Sequence, residues 1–409
     1  MIFKFRFIFF SAIFILLFPV ITKAQTNAIL TAVPGLLINE NAQTGGMGEI
    51  GTVATEFNFN AAYLQNPALL ARNKKVIAGF INYTPLFRSL VPDINLVNIG
   101  LLFSPDGKNG FSYAMSYSSL GKITFTSPTG TPLGEYRPFE IYNSLRYARM
   151  FSTNFSLGLG YKSIYSKLGP DFMGNDYKGM SHAADIGFNY TSIMPVDEKK
   201  DIRLNIGASA LNLGPKLTYG FGRYDFVPSV LKIAAMVNIN LYLVNKDLIT
   251  LSFSYQAQKL LVPTPPIRDQ NGIVAGTDPD IGVVAGILGS FSDAPGIPIR
   301  DANGNFIYNP DNSIQIEKGS VLKEELHEII HQFGIESRYS FSDIDLALAY
   351  RAGYFHEYAS KGNRKYITTG VGIQRKAYCI DLAYYISVIA RHPMGNTTVF
   401  AFSYQLFRQ

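Results

Sequence analysis

One string in the chain could do chemistry by itself, His327-Glu328-Ile329-Ile330-His331. Two histidines one helical turn apart with a glutamate between them is the spacing that binds zinc and activates a water. That chemistry also needs a third protein ligand and a helix that stays regular through the second histidine. The other histidines, His182, His356 and His392, stand at no spacing that supplies one, and Glu336 and Glu357 fall on strand and loop positions. Beyond His331 the residues Phe333, Ile335, Tyr339 and Phe341 already alternate, so that histidine reads as the start of a strand. The string is therefore the end of a loop helix with two incidental histidines. No metal, no cofactor and no catalytic residue is expected, and no grouping of Ser, His and acid emerges elsewhere. The remaining constellation is Arg146, Asp185, Arg203, Glu336, Arg338, Arg351 and Asp381, all at inward strand positions. Opposite charges inside a barrel tie strands to whatever fills the lumen; a polar permeation path is the sharper alternative.

Strict alternation defines the strands that must hold those charges. Phe111, Tyr113, Met115 and Tyr117 oppose Ser112, Ala114 and Ser116; Ile249, Leu251, Phe253 and Tyr255 oppose Thr250, Ser252, Ser254 and Gln256. Ile344, Leu346, Leu348 and Tyr350 oppose Asp345, Ala347, Ala349 and Arg351, and Phe400, Phe402, Tyr404 and Leu406 close the chain. Fourteen strands are expected, over 75–84, 95–104, 110–118, 139–149, 154–165, 182–192, 202–212, 229–240, 247–257, 332–341, 343–353, 365–375, 377–388 and 397–407. Every second connection is short, as in outer-membrane barrels with brief periplasmic turns and long extracellular loops. The longer connections run from about ten residues to roughly seventy. Tyr83, Tyr117, Tyr161, Tyr255, Tyr350 and Tyr384 are expected at the outward ends of the odd strands, where rings sit at headgroup level. A soluble secreted β-protein would alternate too, but has no reason to sort its loops by parity. The expected fold is an all-β transmembrane barrel of fourteen antiparallel strands over residues 75–409.

Composition agrees with this. Only 16% of the 409 residues are charged, against roughly 25% in a soluble domain, and 36 Gly with 13% aromatics argue against disorder, coiled coil and nucleic-acid binding. Residues 1–24 read as a signal peptide: Lys4 and Arg6 precede the apolar run from Phe7 to Ile21, and cleavage is expected between Ala24 and Gln25. An apolar run of about fifteen residues is too short for a membrane-spanning helix, which needs roughly twenty. Cleavage removes Lys4, Arg6 and Lys23, leaving 33 positive against 30 negative charges. That balance implies no acidic partner. Cys379 is alone, so no intramolecular disulfide forms.

Residues 25–74 are not strands in the main. They hold Gly45-Gly46-Met47-Gly48 and a helix-like piece from Ala61 to Leu70. A fourteen-stranded lumen is too wide for strand side chains to fill, so this segment is expected to be a hatch or plug. Its triplet Asn66-Pro67-Ala68 resembles one near the N-terminus of the FadL family, fourteen-stranded transporters with an N-terminal hatch inside the barrel. A longer series of strings is more specific: Ala32 to Ile38, Gly45 to Gly48, Asn82-Tyr83-Thr84-Pro85, Leu90 to Ile94, Tyr117 to Gly121, Leu133 to Tyr136, and Phe291-Ser292-Asp293-Ala294-Pro295-Gly296. Together they are similar to the PorV family, FadL-like components of the type IX secretion system. The resemblance covers essentially the whole chain after residue 24. It implies a Bacteroidota outer membrane and no catalysis. Both termini are then periplasmic and the long loops extracellular. It further implies docking on a giant translocon barrel, with cargo bearing C-terminal signal domains passed to a sortase attachment complex; membrane lipids complete the partners. The alternative is a FadL-type channel for hydrophobic small molecules. A third class, an outer-membrane enzyme acting on lipopolysaccharide, has no residues here to carry it.

The connection over about 258–331 is the longest, rich in Pro and Gly, with an apolar stretch from Ile281 to Phe291. Ordering so long a loop costs backbone entropy that something must offset. Ile281, Val283, Ile287, Leu288, Phe291 and Asp293 are the candidate partner-contact residues, with packing into the barrel mouth as the other reading.

Overall fold

A computed structural model describes residues 27–54, 64–72, 75–88, 90–170, 176–220, 222–270, 272–311, 313–389, 392 and 394–407. The expected signal peptide, with its cleavage point between Ala24 and Gln25, lies outside these, as do residues 61–63 of the helix-like piece. The strands are β1 (Lys75–Pro85), β2 (Ile94–Phe103), β3 (Asn109–Leu120), β4 (Ile123–Thr126), β5 (Pro132–Tyr136), β6 (Phe139–Met150), β7 (Phe155–Pro170), β8 (Asp176–Asp197) and β9 (Lys200–Leu213). They continue as β10 (Val230–Tyr242), β11 (Leu248–Leu260), β12 (Ile267–Asp269), β13 (Gly272–Ala275), β14 (Ile330–Phe341), β15 (Leu346–His356), β16 (Lys365–Arg375), β17 (Tyr378–Ser387) and β18 (Thr397–Phe407). Fourteen of them close an antiparallel barrel in which β1 pairs with both β2 and β18, while β4–β5 and β12–β13 form two separate hairpins. Helices α1 (Ala42–Gly46), α2 (Val283–Gly289) and α3 (Ser320–His327) lie outside the barrel strands.

Side chains alternate across the wall with the polarity of a soluble protein reversed. In β17, Cys379, Asp381, Ala383 and Tyr385 face inward and are buried; Tyr378, Ile380, Leu382, Tyr384 and Ile386 face outward and are exposed. Asn98, Ser116, Gln256 and Thr368 are also buried on the inner face. Aromatic rings gather near both ends of the outer wall. At the loop end Tyr117 packs on Phe139 and Phe139 on Tyr165, with centroids 5.8 and 6.0 Å apart. At the turn end Phe111 packs on Tyr147 at 5.0 Å and Tyr378 on Tyr404 at 5.2 Å.

The expected strands are all present, with shifted ends. β8 has 22 residues and β7 16, so the hairpin they form projects beyond the neighbouring strands. Tyr161 sits within β7 and Tyr350 within β15, and Tyr165 and Tyr354 lie nearer the outward ends of those strands. Residues Ser342 to Asp345 form the turn before β15, which excludes Ile344 from the strand. Asp345 adopts φ 49° there, a left-handed conformation suited to a turn and not to a strand.

Candidate functional site

The N-terminal segment meets the inner face of the wall on many strands. Asn41 caps α1 by accepting a hydrogen bond from the Gln43 amide at 2.7 Å, and the Gln43 side chain donates to Asp381 Oδ2 at 2.7 Å. The Gly48 amide donates to Thr368 Oγ1 at 2.9 Å, and that hydroxyl donates to the Gly46 carbonyl at 3.1 Å. Gln256 accepts from the amides of Gly51 and Thr52 at 3.3 and 3.1 Å. Asn66 is fully buried; its amide group donates to Thr52 O and Phe188 O at 2.8 and 2.9 Å, and its oxygen accepts from the Ala68 amide at 3.0 Å. Pro67 then opens a 3-10 turn over Pro67–Arg72, where its missing N–H costs nothing. The triplet Asn66-Pro67-Ala68 thus joins two parts of the segment to β8.

Glycines make these approaches possible. At inward positions Gly110, Gly158, Gly207, Gly334 and Gly353, a Cβ would overlap backbone atoms of Leu70, Ala68, Thr52, Met47 and Gly48 respectively. Glycine is a poor strand residue, and backbone approaching backbone is the circumstance that requires it. None of these five was singled out in the sequence, although each stands at an inward position of a readable strand.

Of the inward charges, Arg351 bridges Glu336 and Asp381 at 2.6 and 2.7 Å. Arg146 pairs with Asp185 at 2.8 Å, and Lys162 lies 3.6 Å from the same carboxylate. Most of these contacts therefore tie strand to strand. Gln43 on Asp381 links this charge group to the N-terminal segment.

The connection between β11 and β14 is held by a second buried network that the sequence did not reveal. Lys361 contacts Glu324 at 2.7 Å and Glu328 at 2.9 Å, while Lys259 contacts Glu325 at 3.1 Å and Glu328 at 2.5 Å. Glu324 also accepts from the Gly296 amide and Glu325 from the Ala294 amide, each at 2.8 Å, which staples the chain after α2 to α3. Asp293 is buried, not exposed. It accepts from the Thr264 amide at 3.1 Å. Burial lifts its carboxyl to about 6; the Thr264 hydrogen bonds oppose the rise, and the nearby Glu328 and Glu325 charges add to it. At Glu328 burial also pushes upward, but Lys361 and Lys259 outweigh it and hold the carboxyl below its ordinary value. Among the other candidate residues Leu288 and Phe291 are exposed, at 69% and 50%, and Val284 beside them at 71%; Ile281, Val283 and Ile287 are half-buried. α3 adds exposed Leu322 and Leu326.

The His327–His331 string is divided between two elements. α3 ends at His327, whose ring stacks on Tyr358 at 3.3 Å, and His331 lies in β14 with Nδ1 2.8 Å from the Tyr255 hydroxyl. Glu328 between them is committed to the two lysines. The helix that zinc ligation requires stops one turn early.

The family model described as type IX secretion system protein PorV matches residues 21–267. The chain belongs to the PorV family. The match runs from ahead of the N-terminal segment through β11 and ends at Ile267, so α2, α3 and β14 to β18 lie beyond it. No curated protein matches the chain. Among solved structures it is similar to the toluene transporter TodX of Pseudomonas putida, at 9% identity and TM-score 0.44, covering 91% of this chain and 100% of that one. The toluene transporter TbuX of Ralstonia pickettii is similar at 13% identity and TM-score 0.42, with 91% and 100% covered. A FadL homologue of Pseudomonas aeruginosa is similar at 11% identity and TM-score 0.36, with 93% and 99% covered.

Proposed function

We propose that the chain is a non-enzymatic outer-membrane component of the type IX secretion system. Its lumen is plugged by the N-terminal segment, and its work is done by protein contact at the loop end. Family membership gives the system. The observation that carries the contact role is the exposed apolar surface of α2 and α3 on a loop whose interior is fixed by a buried ion network. Exposed apolar groups on a rigid platform are what a docking surface presents. The reversed polarity of the wall and its two aromatic zones support placement in a membrane, with the short turns and both termini periplasmic and the long loops outside. The partners are the giant translocon barrel, cargo with C-terminal signal domains, and the sortase attachment complex to which cargo passes.

Replacing both Val284 and Leu288 by Glu tests this directly. The barrel should fold normally, since both side chains are exposed, while partner retention in a pull-down falls about tenfold or more, the scale of losing a contact hot spot. Unchanged retention would remove α2 from the docking surface. The FadL-type channel predicts instead that an apolar compound crosses the lumen, which the close backbone packing of the N-terminal segment opposes.

A further inference from the structure

Three basic residues stand side by side on the outer wall at the loop end. His331 is paired in register with His356, and His356 with Lys365, so the row crosses β14, β15 and β16. Their strand neighbours Gln332, Phe355 and Tyr366 are buried on the inner face, which turns the row outward. Neighbouring positions across antiparallel strands bring Cβ atoms within about 5 Å, so one phosphate group can be reached by two or three of these side chains. The adjacent Glu357 is buried and committed to Arg364 at 2.9 Å.

Tyrosines set the two rings. The Tyr255 hydroxyl lies 2.8 Å from His331 Nδ1, and the Tyr354 hydroxyl 3.1 Å from His356 Nδ1. Each ring therefore keeps Nε2 for an outside partner. The next outward row in the same register is Phe333, Tyr354 and Ile367, and the one below is Ile335, Ala352 and Thr369. Phe333, Ile335 and Ile367 are each 49% exposed. A basic row directly above an apolar wall matches an anionic lipid, phosphate above and acyl chain below.

We propose that His331, His356 and Lys365 bind the headgroup phosphate of a membrane lipid whose acyl chains lie along β14 to β16. The inference rests on the membrane placement proposed above. Flotation of the full chain with lipid vesicles reads that placement independently of the row. Native mass spectrometry of the detergent-solubilised protein with added phosphatidylglycerol, phosphatidylcholine or inorganic phosphate reads the site. The wild type should favour phosphatidylglycerol over phosphatidylcholine by about tenfold, the scale of one or two charge-assisted hydrogen bonds. The triple variant His331→Gln, His356→Gln, Lys365→Gln should lose that preference while still floating, and Lys365→Gln alone should lower it. Lys178→Gln, on the distant β8, should leave it intact. Equal binding of the two lipids by the wild type, or a preference unchanged in the triple variant, overturns the proposal. So does binding of inorganic phosphate without the lipid. Loss of a co-purifying protein with lipid preference unchanged would assign the row to a protein partner, and overturn it as well.

Discussion

Substituting Gly334 by Ala probes how tightly the N-terminal segment is held. The new Cβ would sit 2.6 Å from the Met47 carbonyl oxygen and 2.9 Å from Ser254 Oγ, where ordinary contact begins at 3.4 Å. The Met47–Gly48 peptide must then retreat by the difference, 0.8 Å. Its amide end is the group that donates to Thr368 Oγ1 at 2.9 Å, and a shift of that size carries it beyond hydrogen-bonding range. Overpacking costs about 1–3 kcal/mol and the lost hydrogen bond about 1 kcal/mol, so local opening of residues 46–52 should become easier by about 2–4 kcal/mol. Hydrogen exchange followed by mass spectrometry reads this as protection reduced by about 30-fold to 1,000-fold in that stretch, at a tenfold change for each 1.4 kcal/mol. Gly282→Ala is the control, because a Cβ there meets nothing within 4 Å. Unchanged protection at 46–52 in Gly334→Ala, or an equal loss in the control, would refute the close-packing argument.

Three further outcomes follow from the loop and the wall. Asp293, raised to about 6 by burial, stabilises the loop fully below the unfolded carboxyl range near pH 3.9, and that contribution is lost as pH rises through 6. Asp293→Asn should flatten this dependence and stabilise the loop by about 1 kcal/mol at pH 7 after allowance for solvent screening, as read by proteolysis at pH 5 and 7. Lys361→Met strands Glu324 and Glu328 with less positive charge and should loosen the connection by about 3 kcal/mol, exposing residues 261–329 to protease while leaving the barrel folded. Arg351→Met leaves Glu336 and Asp381 facing each other without their shared cation and should lower the unfolding temperature of the barrel itself, a cost of about 3–5 kcal/mol.

Local alternation made the wall legible. β16 and β18 span the residues expected of them, because outward apolar and inward small or polar residues alternate up to the strand ends. β8 outruns its expected end because Met194 and Val196 continue the outward face past residue 192. The Asn66-Pro67-Ala68 triplet was visible as a motif, but its partner Phe188 O is 122 residues away. The lysine–glutamate network was illegible for the same reason. Lys259 comes from the end of β11 and Lys361 from the turn between β15 and β16, and only closure of the barrel brings them to α3. The burial of Asp293, a candidate partner-contact residue by sequence, was illegible because the Thr264 amide that draws it inward is 29 residues away.

Deleting the gene and following secretion tests the central claim most directly. The account predicts that proteins bearing C-terminal signal domains disappear from the cell surface and medium, while uptake of hydrophobic compounds is unaffected. Normal secretion with impaired uptake of such a compound would contradict it.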